Sequence, residues 1–412
     1  MIKRDRKAQK TVYVLGAGFS REAGCPLQAE ILYRIFSFKI ENLSISDDPF
    51  NIATYFDHSR RSVLEFIERV FPHGVNPSLE DVYTLLDQTI ETRCDCAPFT
   101  WQQLEEVRIN LNRTILFIFH WTTARSGSPQ HDFYRSIASD LILVRLEQGQ
   151  KGDPFSIISL NWDSLLEDDL YWCIEQVSGH HLLDIDYCCY TTPMYKGGYH
   201  QPSPTQKAIG IYNLKILKLH GSANWLICPN CRRLFTGIGE QRTVWELYLQ
   251  KRACPLCQRT EEAAKPLEVK PPGPILEPYF VTPTYLKRFE NPHILMTWHN
   301  AFIELSEADE IIFIGYSLPE SDYHIRTLLR RAIRRERPIH VILSEKDGPE
   351  NVRGKVKNSQ VASRYLDFFG RERLDYDFSG VKGYFQARLG KQKLGNRLST
   401  IRRRLKRTRR SA

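Results

Sequence analysis

A chain of 412 residues, 42% hydrophobic and 11% aromatic, can build one large core with attached modules, or two to three domains. It is too apolar for wholesale disorder. No run approaches ~18–20 consecutive apolar residues, so no membrane-spanning helix is expected. The net charge of +9 is unevenly placed: eleven Lys and Arg and no Asp or Glu fall in residues 387–412, and the remainder carries −2.

The charged first ten residues run straight into an apolar strand with no signal-like apolar core, so the expectation is a cytoplasmic protein with reduced cysteines. Thr11 to Leu15 form a short β-branched run that ends at Gly16, and helical spacing of Leu27, Ile31, Leu32, Ile35 and Phe36 predicts a helix over about 26–38. Four further helical patterns follow, over 62–71, 78–90, 101–121 and 132–146, with Ser78 and Asp81 placed as a capping pair. Strand patterns return at 154–160, 214–220, 310–318 and 338–345, separated by helical patterns at 163–175, 284–305 and 322–335. Strands alternating with helices predict an α/β fold: a Rossmann-like, doubly wound, mostly parallel sheet. The pattern predicts that the first strand, turn and helix (1–30) open the Rossmann-like domain, that a helical insertion occupies 31–150, and that the domain continues over 151–227. A four-cysteine zinc-ribbon-like module takes 228–270, a Pro-rich return leads into 271–347, and 348–412 is a C-terminal extension without clear strand alternation, ending in the basic tail.

In such sheets the polar residues just past the strand ends line the ligand crevice, and the notable polar residues of this chain fall there. Gly16, Ala17 and Gly18, followed by Ser20, Ala23, Gly24 and Pro26, lie between a strand and a helix, where closely spaced glycines let backbone pass near a pyrophosphate; glycines at such joints also serve packing. Asn161 and Asp163 end the second strand, with Asp163 equally suited to cap the next helix. His220 ends a third strand before Gly221, a position open to a general base or to a structural histidine. Gly315 and Ser317 make a second turn of the same kind. Cys228 and Cys231, then Cys254 and Cys257 after 22 residues, have the spacing of a closed tetrahedral thiolate site, which implies structural zinc. Cys25, Cys94, Cys96, Cys173, Cys188 and Cys189 show no such order and read as packing residues.

Taken in chain order, the Gly-Ala-Gly loop with its Ser, the Leu-Asn-Trp-Asp and Leu-His-Gly-Ser segments, the paired Cys knuckles and the Gly-Tyr-Ser-Leu turn resemble the sirtuin superfamily. The resemblance implies that Gly16, Ala17, Gly18 and Ser20 hold NAD phosphates and ribose, and that Asn161, Asp163 and His220 are the catalytic set. By the same resemblance Gly315 and Ser317 face the nucleotide, and Ser344 and Glu345 meet the adenosine ribose. The chain departs from the protein-deacylating members: it reads Cys25-Pro26-Leu27-Gln28-Ala29-Glu30 where they carry Asp-Phe-Arg, has Leu160 where they have Gln, and lacks a Phe-Gly-Glu segment around 270–290. Residues 278–289 instead resemble the sirtuin-like branch of bacterial antiviral defence, whose members are similar in carrying long helical insertions. That resemblance implies hydrolysis of NAD to ADP-ribose and nicotinamide, by a homo-oligomer or beside a partner ATPase or nuclease. NAD-dependent lysine deacylation and non-catalytic sensing of NAD or ADP-ribose stay open as rivals. The tail, 387–412, suits nucleic-acid phosphates, a solvated and partly disordered tail, or a helix docking on an acidic partner.

Overall fold

The computed structural model describes residues 9–39, 52–72, 74–123, 129–149, 153–179, 182–195, 198–199, 211–237, 253–257, 273–283, 291–344, 350–352, 355–357 and 360–411. Strand β1 (Thr11–Leu15) leads into the short helix α1 (Ala17–Arg21), and a 3₁₀ turn at Gln28–Glu30 opens α2 (Ile31–Ser37). Then come α3 (Ile52–Val70), α4 (Leu79–Thr92), α5 (Trp101–Thr123) and α6 (Pro129–Glu147). The sheet resumes with β2 (Phe155–Ser159), followed by α7 (Leu165–Gln176), β3 (Leu183–Asp186), β4 (Thr192–Tyr195), β5 (Gly198–Tyr199), β6 (Tyr212–Lys218), β7 (Gly221–Ile227), β8 (Leu234–Gly237) and β9 (Glu277–Phe280). The chain closes through α8 (Pro292–Glu307), β10 (Glu310–Ile314), α9 (Tyr323–Ala332) and β11 (Ile339–Ile342), then the hairpin β12 (Glu350–Val352) and β13 (Lys355–Lys357). After it come α10 (Gln360–Phe369), β14 (Leu374–Asp377), α11 (Gly380–Leu389) and α12 (Leu394–Ser411).

Seven strands form the central sheet in the order β14-β11-β10-β1-β2-β6-β3, and every pairing in it is parallel. Parallel strands need both faces covered, and side chains of β1 divide between the two. Tyr13 and Leu15 join a core with residues of α6, α7, α11 and α12, whereas Val12 and Val14 join one with residues of α8, α9 and α10. Connections run away from β1 in opposite directions, so the reversal of strand order falls between β1 and β10, the place where doubly wound sheets bind ligands.

Helices α2 to α5 have a core of their own, shared with Cys228, Cys254, Cys257, Phe235 and Phe280. Helix α4 starts on the expected reciprocal cap: Ser78 Oγ accepts from the Asp81 amide (3.1 Å) and the Asp81 carboxylate accepts from the Ser78 amide (2.9 Å). A second sheet, β5-β4-β8-β7-β9, grows out of the His220–Gly221 turn and carries the first Cys knuckle between β7 and β8.

Two features of the C-terminal extension differ from the sequence reading. Residues 374–377, for which the sequence has no clear alternation, are the edge strand of the sheet; only four residues long and partly exposed, β14 is selected by its pairing with β11 rather than by a pattern of its own. The basic tail is in large part a docked helix. Leu398, Ile401 and Leu405 of α12 are buried in the sheet-covering core. Arg388 and Arg397 both bond Asp140 of α6 (2.9 and 2.8 Å), Arg404 bonds Glu147 (2.9 Å), and Arg402 bonds the Gln176 carbonyl (3.0 Å). Three buried aliphatic side chains contribute about 5 kcal/mol of burial. Truncation after Gln386 is therefore expected to lower the unfolding temperature by about 10 °C, or to abolish folding; calorimetry showing the midpoint of the full chain would contradict this docking.

Candidate active site

At the C-terminal ends of β1 and β10 the two backbones touch. The Gly18 amide donates to the Gly315 carbonyl (2.9 Å) and the Gly16 amide to the Ile314 carbonyl (3.0 Å). A Cβ on Gly16 would lie 2.6 Å from the Gly315 oxygen, and one on Gly18 2.8 Å from the Gly315 Cα. Gly315 has φ +63°, and a Cβ there would meet the Phe19 nitrogen at 2.2 Å. All three glycines are thus required by the mutual approach of these loops. The second loop continues through Leu318, a buried non-glycine residue at φ 47°.

The short loop after β2 (160–164) is fastened across this junction. Asn161 Nδ2 donates to the Gly16 carbonyl (3.0 Å) and to Ser20 Oγ (3.3 Å), and Ser20 Oγ donates to Asp163 Oδ1 (2.9 Å). Ser20, Asn161 and Asp163 are all buried. Asp163 Oδ1 also accepts from the amide of Leu165 (3.2 Å), the first residue of α7, although the N-cap position itself is Ser164. His220 Nδ1 lies 3.2 Å from the Leu160 carbonyl. A carbonyl only accepts, so in the neutral ring the proton sits on Nδ1 and the lone pair on Nε2. The Val281 amide donates to the His220 carbonyl (2.8 Å), and Trp298, whose ring centroid is 6.4 Å from that of His220, donates to the Leu219 carbonyl (2.9 Å).

The structure therefore brings together Gly16, Gly18, Ser20, Asn161, Asp163, His220 and Gly315, with Ala17 half-buried between the glycines. Ser317 and Ser344 are exposed on the loops after β10 and β11. Glu345 lies outside the described residues. Sequence reading missed Lys218, which is fully buried and donates to the Asp163 carbonyl (2.6 Å) while pairing with Glu167 (2.9 Å). Its signal was legible: a lysine closing a strand that a parallel sheet must cover on both faces, and a glutamate in the first turn of the helix after β2.

Buried carboxyl groups crowd the same side. Burial pushes Glu167 up against the opposing pull of Lys218, and burial together with the neighbouring Glu167 charge pushes Asp168 well above its ordinary value. Burial, with Asp163 and Asp168 nearby, also raises the Cys25 thiol well above its usual range, which makes it an inert packing residue.

The four cysteine sulfurs of Cys228, Cys231, Cys254 and Cys257 all lie within 4.8 Å of one another. Cys228 and Cys257 are 3.7 Å apart and Cys231 and Cys254 3.8 Å. A zinc tetrahedron with Zn–S of about 2.3 Å requires sulfurs about 3.8 Å apart, so the donor set fits that ion. The Cys231 amide and Asn230 Nδ2 point at sulfurs (3.4 and 3.5 Å), as thiolates favour. Four protein ligands leave no open position, and three of the cysteines share a core with α2 to α5 that also takes in Trp162 of the 160–164 loop. Denaturing the purified protein with a thiol-blocking reagent and a zinc indicator is expected to release about one zinc per chain. Cys254→Ser should lose both the zinc and much of the thermal stability; full stability without metal would remove the structural role.

No family model and no curated protein matches the chain. Among solved structures it is similar to a mutant Sir2 homologue in complex with 2′-O-acetyl ADP ribose, at TM-score 0.38 and 14% identity over 97% of this chain and 94% of that one. It is similar to a Sir2 homologue–NAD complex at TM-score 0.37 and 14% identity, over 97% and 91% of the two chains. It is also similar to Sir2Tm bound to a propionylated peptide, at TM-score 0.32 and 12% identity, over 93% and 92%.

Proposed function

We propose that this chain cleaves the nicotinamide–ribose bond of NAD and passes the ribose to water, giving nicotinamide and ADP-ribose. The observation that carries the reading is the bonded group Gly16–Ser20–Asn161–Asp163 at the reversal of strand order, with His220 held to the same loop through Leu160. The ordered resemblance of these segments to sirtuins supports NAD as the substrate, and the departures around Cys25–Glu30, Leu160 and 270–290 favour water over an acyl-lysine as acceptor.

In this reading the C–N bond breaks with its electron pair leaving on nicotinamide, and positive charge develops at the ribose carbon and ring oxygen. Water then supplies the new C–O bond and gives up a proton. Asn161 is suited to orient the water or the ribose: its amide nitrogen is committed to Gly16 and Ser20, and among the described residues no hydrogen bond is made to its carbonyl oxygen. His220 accepts the proton at Nε2, the nitrogen that the Leu160 bond leaves with a lone pair. Asp163, already bonded by Ser20 and Leu165, orients the ribose side of the site rather than attacking.

Purified protein incubated with NAD and no peptide is expected to release both products. His220→Ala should lower kcat by about 100- to 10,000-fold with NAD affinity kept within a few-fold. Equal loss of binding and turnover would sink the histidine's role. Turnover only with an acyl-lysine peptide would make the chain a deacylase, and binding without turnover a sensor.

The likeness of 278–289 to the defence branch supports a role in antiviral defence, exerted as a homo-oligomer or with a partner ATPase or nuclease. The exposed Lys391 and Lys393 before α12, with Arg403 and Lys406 on it, support binding of nucleic acid. Arg403→Gln with Lys406→Gln leaves the docked face intact. It is expected to weaken polynucleotide binding at low salt and to flatten its salt dependence, the log–log slope falling by about 0.9 for each phosphate no longer neutralised; unchanged binding removes this partner.

A further inference from the structure

Lys218 has no place in the chemistry above, yet it is the most thoroughly enclosed charge near the site, with a relative exposure of 0%. It is the last residue of β6, two before His220, and Glu167, its partner, is 2% exposed in the first turn of α7. The amine makes two bonds, one to a carboxylate and one to the main-chain carbonyl of Asp163. The second is the informative one. A buried ion pair is readily replaced by apolar residues when only stability is at stake, whereas a bond to one particular carbonyl fixes where a loop sits.

That loop carries Asn161 and Asp163, and it is gripped from every side. Asn161 is tied to Gly16 and Ser20, Asp163 to Ser20, the Leu160 carbonyl to His220, and the Trp162 carbonyl to the Ala223 amide (2.7 Å). Lys218 is the only cation bonded to it among the described residues. Because Lys218 and His220 leave the same strand end, the Lys218–Asp163 bond sets the loop against the histidine. Its charge also opposes the raised values of Glu167, Asp168 and Cys25, so one cation balances a group of enclosed acids.

We propose that Lys218, held by Glu167, is a positioning residue that sets the Asn161–Asp163 loop against His220. The proposal rests on the NAD-cleavage reading only for its kinetic consequence. The test is Lys218→Met with Glu167→Gln, which removes both charges together and leaves no lone buried ion. Lys218→Met with Glu167→Leu serves as the second variant should the first not fold. Three quantities are compared with the native chain: the unfolding midpoint, the hydrogen exchange of free-protein amides over 160–165, and nicotinamide release.

The expected result is a folded variant with NAD affinity within about threefold. Its kcat should be about 10- to 100-fold lower, as sub-ångström to ~1 Å misplacement costs. Amides over 160–165 should exchange at least about tenfold faster while those of β10 and β11 are unchanged. A folded variant with native turnover and native exchange in the loop overturns the proposal and leaves the pair a core element. A native chain that releases no nicotinamide overturns the NAD reading instead. The exchange comparison still decides this one, because it is read without substrate: faster loop exchange supports the tie and native exchange overturns it.

Discussion

The backbones that follow β1 and β10 lie closer together than any side chain allows, and the site depends on that approach. Gly16 and Gly18 on one loop and Gly315 on the other meet with amide-to-carbonyl bonds, at distances where a methyl group would overlap main-chain atoms. The meeting brings the Gly16 carbonyl within reach of Asn161 and places Ser20 against Asp163. It also changes what the glycines mean. A Gly-Ala-Gly turn read as a phosphate cradle is here accounted for by intramolecular packing, so the case for a nucleotide rests on the polar cluster these glycines hold together.

A second set of interactions reaches the site from the helical insertion. The segment after β9 lies against the His220–Gly221 turn: the Val281 amide bonds the His220 carbonyl, and Gly221 has no room for a Cβ beside Tyr279 and Phe280. The next residue, Thr282, donates to Asp87 of α4 (2.7 Å), and Asp87 pairs with Arg108 of α5. Phe280 packs on Trp162 with ring centroids 4.9 Å apart. The wall beside the histidine is thereby built from the segment after β9 and braced by the insertion, which lies outside the seven-stranded sheet.

Five of the seven central strands were legible in the sequence because they are largely apolar runs ending at a glycine or polar turn, as parallel sheets demand, whereas the four-residue β3 was not. Ser78 with Asp81, and the paired cysteines, were equally legible, since a cap and a tetrahedral ligand set depend on fixed local spacing. Strand β14 was not, being four residues with a half-exposed pattern whose conformation comes from pairing with β11. Strand β7 begins Gly-Ser-Ala-Asn, a string with no strand signature, and is held by β8 and β9 on either side. At the site, Asn161, Asp163 and His220 could be found from their positions at strand ends. Lys218 could not be assigned a task from sequence, because its two bonds join residues 51 and 55 positions away.

The docking of the last helices has a consequence for the order in which the molecule is made. Residue Thr11 of β1 pairs with β10, 299 positions later, and Arg388 reaches back to the Tyr13 hydroxyl (2.6 Å). During synthesis β1 meets one neighbour, β2, early, whereas its other neighbour, β10, and the part of its cover given by α11 and α12 emerge only after residue 309. The insertion, whose α3–α5 and α4–α5 packing is local, has its partners far earlier. The approach of Gly16 and Gly18 to Gly315 thus waits on β10, and a chain stopped before residue 310 would present a packed insertion beside a sheet that lacks its second loop.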